Sequence, residues 1–258
     1  MLKNIYKKEY NIGEILSDAW TIYSKNFKLI LLIILCTYLP LTIISEIISL
    51  QVPVSADPVL TFNWGLIGIQ ILIALLMLIV TLAIAFVVKF RAEGEEIDLS
   101  KAITNAFSRW FPVIGTSILM GIFLIGLFIL LIVPGIIFSV YWIFTIYIVA
   151  LNNKSGLEAL KHSKAIVKGR WWKVVGYGFV FGLIALAVVF PVLAVSAPII
   201  LLATMIGKSV ILTSVLNIVF GVIAYVISAF FTVVYVVFFL NFDKNRVGNK
   251  KPALDTSP

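Results

Sequence analysis

The stretch that decides the fold runs from Phe111 to Leu151, FPVIGTSILMGIFLIGLFILLIVPGIIFSVYWIFTIYIVAL. It is apolar throughout and too long for one membrane-crossing helix, which needs about 20 such residues. Val133-Pro134-Gly135 interrupts it, and Pro-Gly is a strong turn signal. The stretch therefore reads as a hairpin of two spans, 111–132 and 136–151. The second is short, so it tilts little or thins the bilayer locally.

On either side the chain repeats this character. Apolar runs at 29–50, 64–88, 174–195 and 210–240 bring the expected spans to six, with Pro191 and Pro198 weakening the end of the fifth. Composition agrees: 62% of the 258 residues are hydrophobic, 12% are charged and the mean hydropathy is +1.12. Soluble domains average roughly 45–50% apolar and about 25% charged residues, so a water-soluble globule is excluded. The first 28 residues are polar and lack a short apolar core with a cleavage site, so the first run is read as a retained span.

Orientation follows from the basic residues. Of the 20 lysines and arginines, 19 fall before span one, between spans two and three, between four and five, or after span six; only Lys208 falls opposite. Six spans place those four segments on one side, expected to be the cytoplasm of a bacterial or archaeal cell. The domain plan is then a cytoplasmic N-terminus 1–28, a membrane domain 29–240 and a basic cytoplasmic tail 241–258. This accounts for the pI of about 9.5 without nucleic acid as a partner.

The cytoplasmic segments carry helical periodicity of their own. Ile12, Ile15, Leu16, Ala19, Trp20, Ile22, Tyr23 and Phe27 share one face of the first. Leu99, Ala102, Ile103, Ala106, Phe107 and Trp110 share one face of the second, and Ala159, Leu160, Ser163, Ile166, Val167 and Trp171 one face of the third. Asp98 or Ser100 would cap the second, and Asn153 or Ser155 the third. The expected architecture is all-α: three hairpins, each preceded by an amphipathic helix in the headgroup plane (99–110 and 156–170 for the second and third). Trp20, Trp110, Trp171 and Trp172 would anchor that plane, with Trp64 at the outer boundary. The similarity of the three segments suggests a threefold pseudo-repeat.

The sharpest local signature is Pro134-Gly135-Ile136-Ile137, then Tyr141-Trp142, then the run from Ser155 through Leu157-Glu158-Ala159-Leu160 to Gly169-Arg170-Trp171. With Ile12-Gly13-Glu14-Ile15-Leu16-Ser17-Asp18-Ala19-Trp20, this resembles the membrane domain found ahead of some glycerophosphodiester phosphodiesterases. The resemblance implies a fold and a membrane address. That family often has a basic residue near the position of Trp142 and an acidic one near Asn152 or Asn153, so such an ion pair is not expected here. No catalytic domain is expected after span six, so no phosphodiesterase activity is carried over.

Chemistry-bearing residues are sparse. His162 is the only histidine and falls on a charged helix face, where it reads as a solvated residue. Cys36 reads as a small buried residue. Glu93, Glu95, Glu96 and Asp98 read as a solvated turn beside Lys89 and Arg91 rather than a cation site. Glu46 is the one ionisable residue inside a span, a candidate by default, with Asp57 and Lys208 as partners on the outer side. Gly178 and Gly182 offer a close helix–helix contact, expected within the molecule. Neither a metal, a cofactor nor an enzyme activity is expected.

Lys161, Lys164 and Lys168, with Arg170 beyond, form a basic stripe suited to anionic lipid headgroups; they also serve orientation. The function expected is lipid-associated organisation or sensing at the cytoplasmic leaflet, with the bilayer as partner. The alternative is a transporter or permease subunit, including resistance to a membrane-active peptide. Glu158-Ala159 suggests a permease coupling loop, but Gly169 lies too far on.

Overall fold

A computed structural model describes residues 8–50, 64–207 and 210–247. Among them are nine helices: α1 (Ile12–Lys25), α2 (Phe27–Leu50), α3 (Trp64–Glu93), α4 (Leu99–Leu130), α5 (Ile132–Tyr141), α6 (Thr145–Leu151), α7 (Gly156–Val167), α8 (Trp171–Gly207) and α9 (Val210–Val247). Six stretches are long and apolar enough to cross a membrane: Phe27–Ile48, Ile67–Glu93, Leu99–Leu130, Ile132–Leu151, Trp171–Ala203 and Ile211–Asp243. The protein is an all-α, multi-pass membrane protein. Asp57, Lys208, Lys250 and Lys251 lie outside the described residues.

The hairpin turn falls slightly earlier than Pro134-Gly135 suggests. α4 ends at Leu130, and Leu131 is extended, with φ −157° and ψ 129°. The reason lies in proline geometry: a proline ring clashes with the carbonyl four residues back, which for Pro134 is that of Leu130. Pro134 itself then sits in the first turn of α5, where an unpaired backbone nitrogen is normal. Gly135 allows the hairpin to close, because a Cβ there would meet the Phe128 ring at 2.5 Å.

The second amphipathic segment is not a separate surface helix. α4 runs unbroken from Leu99 to Leu130 through Pro112, so the segment 99–110 is the first three turns of a long helix. Asp98 caps it, its Oδ1 accepting from Lys101 N at 2.8 Å. The fourth stretch departs in the other direction, breaking at Trp142–Phe144 into α5 and α6. The fifth does not fade at its prolines; α8 carries Pro191 and Pro198 inside and continues to Gly207.

The three amphipathic faces are real, but their partner is protein. On α1, Ile15, Ala19, Ile22 and Tyr23 are buried because the helix packs along α9 and, less extensively, α2. Tyr23 Oη donates to the Val226 carbonyl at 2.9 Å, while Tyr10, just before α1, is bonded to Asn241. α1 thus climbs several turns of α9 rather than lying across its end. On α4, Ala102 and Ala106 are fully buried, and α7 buries Ala159, Ser163, Ile166 and Val167. In each case the small residues set a close helix approach.

α8 and α9 pair through aromatic rings near one end, where Tyr177 and Phe181 pack around Phe238 at 5.6 and 5.7 Å. This end, which also carries Lys89, Arg91, Arg170 and Lys173, is the basic end of the molecule. Both halves of the fourth stretch touch it. Trp171 Nε1 donates to the Ile137 carbonyl at 3.2 Å on α5, and Phe144, before α6, meets Phe238 edge-on at 5.0 Å. The bent α5–α6 unit therefore lies across the end of the α8–α9 pair.

Candidate functional site: a polar clasp and a lysine-edged groove

The basic end holds two polar clusters beneath a lysine stripe. The first joins the α6–α7 loop to α9. Asp243, at the end of the sixth apolar stretch, accepts from Asn152 Nδ2 at 2.8 Å and lies 2.7 Å from His162 Nε2. Lys154 Nζ, which can only donate, faces His162 Nδ1 at 3.3 Å. Because the Asp243 carboxylate can only accept, His162 Nε2 is the donor of their bond. Lys154 also pairs with Glu158 at 3.5 Å. His162 is therefore a partly buried connector and not the solvated residue that its charged helix face suggested.

The second cluster ties the N-terminal segment down. Asn241 is fully buried; its Oδ1 accepts from Tyr10 N at 3.0 Å and its Nδ2 donates to the Lys8 carbonyl at 2.9 Å. Tyr177 Oη donates to the Tyr10 carbonyl at 3.1 Å. Arg170 meets Glu9 at 3.2 Å and donates to the carbonyls of Ile166 and Phe242 at 2.9 and 3.2 Å, while Lys173 reaches the same Glu9 oxygen at 3.3 Å. Arg170, expected to face headgroups, is thus occupied in holding three elements together. Just before it, Gly169 adopts φ +85°, a left-handed conformation that suits glycine at a helix end.

Further polar contacts fix the helices around these clusters. Lys89 Nζ donates to the Leu151 carbonyl at 2.6 Å, a cation at the C-terminus of α6. Ser163 Oγ bridges the α5–α6 break, donating to the Tyr141 carbonyl at 2.8 Å and accepting from Phe144 N at 3.3 Å. Ser155 occupies the N-cap of α7 without a side-chain bond; the Gly156 amide instead donates to Thr116 Oγ1 of α4 at 2.8 Å. Arg109 is bonded to Asn153.

The remaining lysines are different. Lys161, Lys164 and Lys168 are exposed along α7, and among the described residues no carboxylate lies within 4.0 Å of them. Lys164 Nζ lies over the Phe138 ring at 4.8 Å and near Tyr141 at 5.6 Å. Lys161 and Lys164 edge an apolar groove of about 360 Å³ between α4, α5 and α7, walled by Phe123, Leu127, Trp142 and Leu160.

Other candidates fall elsewhere. Trp20 and Trp172 are exposed, at 61% and 79%, as interfacial anchors would be. Trp110 instead donates to the Leu75 carbonyl at 2.7 Å, fastening α4 to the middle of α3. Trp171 is half-buried against α5. Among the described residues, side chains at Gly178 and Gly182 would meet nothing within 4 Å, so the expected close helix contact is not made there. Cys36 is exposed on α2, not buried. Glu46 is half-buried on α2, remote in sequence from both clusters. Glu96 pairs with Arg91 at 3.6 Å while Asp98 caps α4, so the acidic run has structural roles. Among the described residues no three His, Cys, Asp or Glu side chains gather as a metal site would require.

Sequence reasoning passed over Asn241, Asp243, Glu9 and Tyr10. The visible signal was Asn241-Phe242-Asp243 directly after an apolar run, which reads equally well as the end of a span.

Helices of this length and apolarity, closed at one end by buried polar clusters, define a multi-pass α-helical membrane protein. Residues 99–242, from the first residue of α4 to the penultimate turns of α9, match the family described as Domain of unknown function (DUF7847), and the chain belongs to that family. No curated protein and no solved structure matches it.

Proposed function

We propose that this chain is a non-catalytic, multi-pass membrane protein that organises or senses anionic lipid. Both termini are in the cytoplasm, and the basic end faces the cytoplasmic leaflet. The observation that carries this reading is the division among the basic residues of the α7 region. Arg170, Lys173 and Lys154 are engaged with Glu9 and Glu158, whereas Lys161, Lys164 and Lys168 are exposed without carboxylate partners among the described residues. Each free lysine gains about 1 kcal/mol beside an anionic leaflet, enough in sum to bias which lipids surround the protein. The sequence resemblance to the membrane domain of glycerophosphodiester phosphodiesterases supports the same setting.

The test uses the tryptophans as reporters, since Trp20 and Trp172 are exposed. In reconstituted bilayers, brominated phosphatidylglycerol should quench their fluorescence more than brominated phosphatidylcholine at equal mole fraction. Raising salt should narrow the gap, because exposed charges are screened. Equal quenching by the two lipids at low salt would sink the proposal.

A further inference from the structure

We infer that the groove between α4, α5 and α7 is a discrete site for one anionic phospholipid, with an acyl chain lying along Phe123, Leu127, Trp142 and Leu160 and the phosphate held between Lys161 and Lys164. This deepens the reading above and rests on it: a general preference of the surface becomes a single retained molecule.

Three observations converge. The groove is walled by apolar side chains, and its volume of about 360 Å³ falls at the lower end of the range for small-molecule sites, about 300–1,000 Å³. That accommodates a stretch of one chain, leaving the second in the bilayer. Next, among the described residues the charged side chains that line it are two lysines at i and i+3 of one helix, whose Cβ atoms stand about 5–6 Å apart. Flexible stems let both converge on the oxygens of one phosphate. Lys164 is already steered to the rim by the Phe138 ring at 4.8 Å, and an ammonium held over an aromatic face keeps its outward N–H groups for an anion.

The occupant is a lipid rather than a soluble acid because of what surrounds the groove. Ile118, Ile122 and Ile125 on α4, and Leu131 and Ile136 beyond the turn, are all exposed. An apolar surface so extensive on a membrane protein is covered by acyl chains. A lipid enters from that surface sideways, carrying its own headgroup to the lysines. A free phosphate would gain the lysines but leave the apolar walls unfilled.

Native mass spectrometry of the purified full chain, titrated with phosphatidylglycerol or phosphatidylcholine, tests the site. The wild type should retain one phosphatidylglycerol at collision energies that strip phosphatidylcholine. The Lys161→Gln/Lys164→Gln variant should bind phosphatidylglycerol about 10- to 30-fold more weakly, from two headgroup contacts of about 1 kcal/mol each. Lys168→Gln, outside the groove, should leave that retention unchanged. Leu127→Trp, which fills the groove and keeps both charges, should also abolish retention. Loss with Lys168→Gln equal to the loss with the double variant, or full retention in Leu127→Trp, overturns the site. If no single lipid is retained while the quenching preference persists, the site falls and the general reading stands; if the preference is absent too, both fall.

Discussion

The α8–α9 pair and the hairpin of α4 with α5 and α6 start from similar material, two long apolar runs apiece, and end as different objects. α8 and α9 are uninterrupted over Trp171–Gly207 and Val210–Val247, although α8 contains Pro191 and Pro198. The other hairpin turns at Leu131 and breaks again at Trp142–Phe144. Proline is present in both, so proline alone does not decide. The difference is what waits beside it. Pro134 is followed by Gly135, whose missing side chain admits the Phe128 ring, and the chain can fold back on itself. Pro191 and Pro198 are exposed and are followed by Val192 and Ile199 rather than glycine, and membrane helices tolerate internal prolines. The second break is held by Ser163, which bonds both of its flanks.

The contrast can be broken most directly by distance. In a Cys36→Ser background, spin labels at the exposed positions Leu131, Trp172 and Met205 would be measured pairwise. Trp172 and Met205 sit 33 residues apart on α8, about 50 Å at 1.5 Å per residue. Because Val133 and Trp172 line one groove, the Leu131–Trp172 distance should be far the shorter of the two involving Leu131. A Leu131 label closer to Met205 would mean that the bent hairpin stands alongside α8 and not across its end.

Next in size is the ring that joins the two regions. Phe238 is fully buried and touches Phe144 of one hairpin and Tyr177, Phe181 and Phe242 of the other. Phe238→Ala should cost about 3–5 kcal/mol of unfolding stability, the range for emptying a packed core position. Denaturant or thermal unfolding in detergent would measure it, and a loss below about 1 kcal/mol would show that the two regions do not share a core.

A smaller effect is expected from the polar clasp. His162 and Asp243 are 23% and 13% exposed and 2.7 Å apart. The cycle of His162→Ala, Asp243→Asn and the double variant should return a coupling of about 0.5–3 kcal/mol. Strict additivity would make the contact incidental.

What was readable in the chain follows the same division. Periodicity located the apolar faces of α1, α4 and α7 in outline: Ile15, Ala19, Ala102, Ala106, Ala159 and Ile166 are all buried, whereas Trp20, Phe27 and Phe107, assigned to the same faces, are exposed. It could not name their partner, because headgroups and another helix demand the same stripe. Nor could it foresee Tyr10 with Asn241, 231 residues apart, or His162 with Asp243, 81 apart. Such pairs leave no local pattern in one sequence. Gly178 and Gly182 show the converse: a pattern was present, and among the described residues nothing comes within 4 Å of the space beside them.

The smallest effect concerns the start of α1, the element that ties the long pair to the N-terminus. Asn11 and Glu14 cap it reciprocally, at 2.8 and 2.9 Å, so Asn11→Ala should cost about 1 kcal/mol. Glu14 adds a dependence on pH. Its hydrogen bond with Lys8, followed by the Asn11 amide, holds its carboxyl below the ordinary value of 4.5. A lowered carboxyl stabilises the fold fully above that ordinary value and loses the contribution as pH falls through the lowered one. Acidification below about 4.5 should therefore loosen α1 in the wild type more than in Glu14→Gln, with hydrogen exchange of the α1 amides as the readout. Equal loosening of the two proteins would assign the acid sensitivity to another carboxylate.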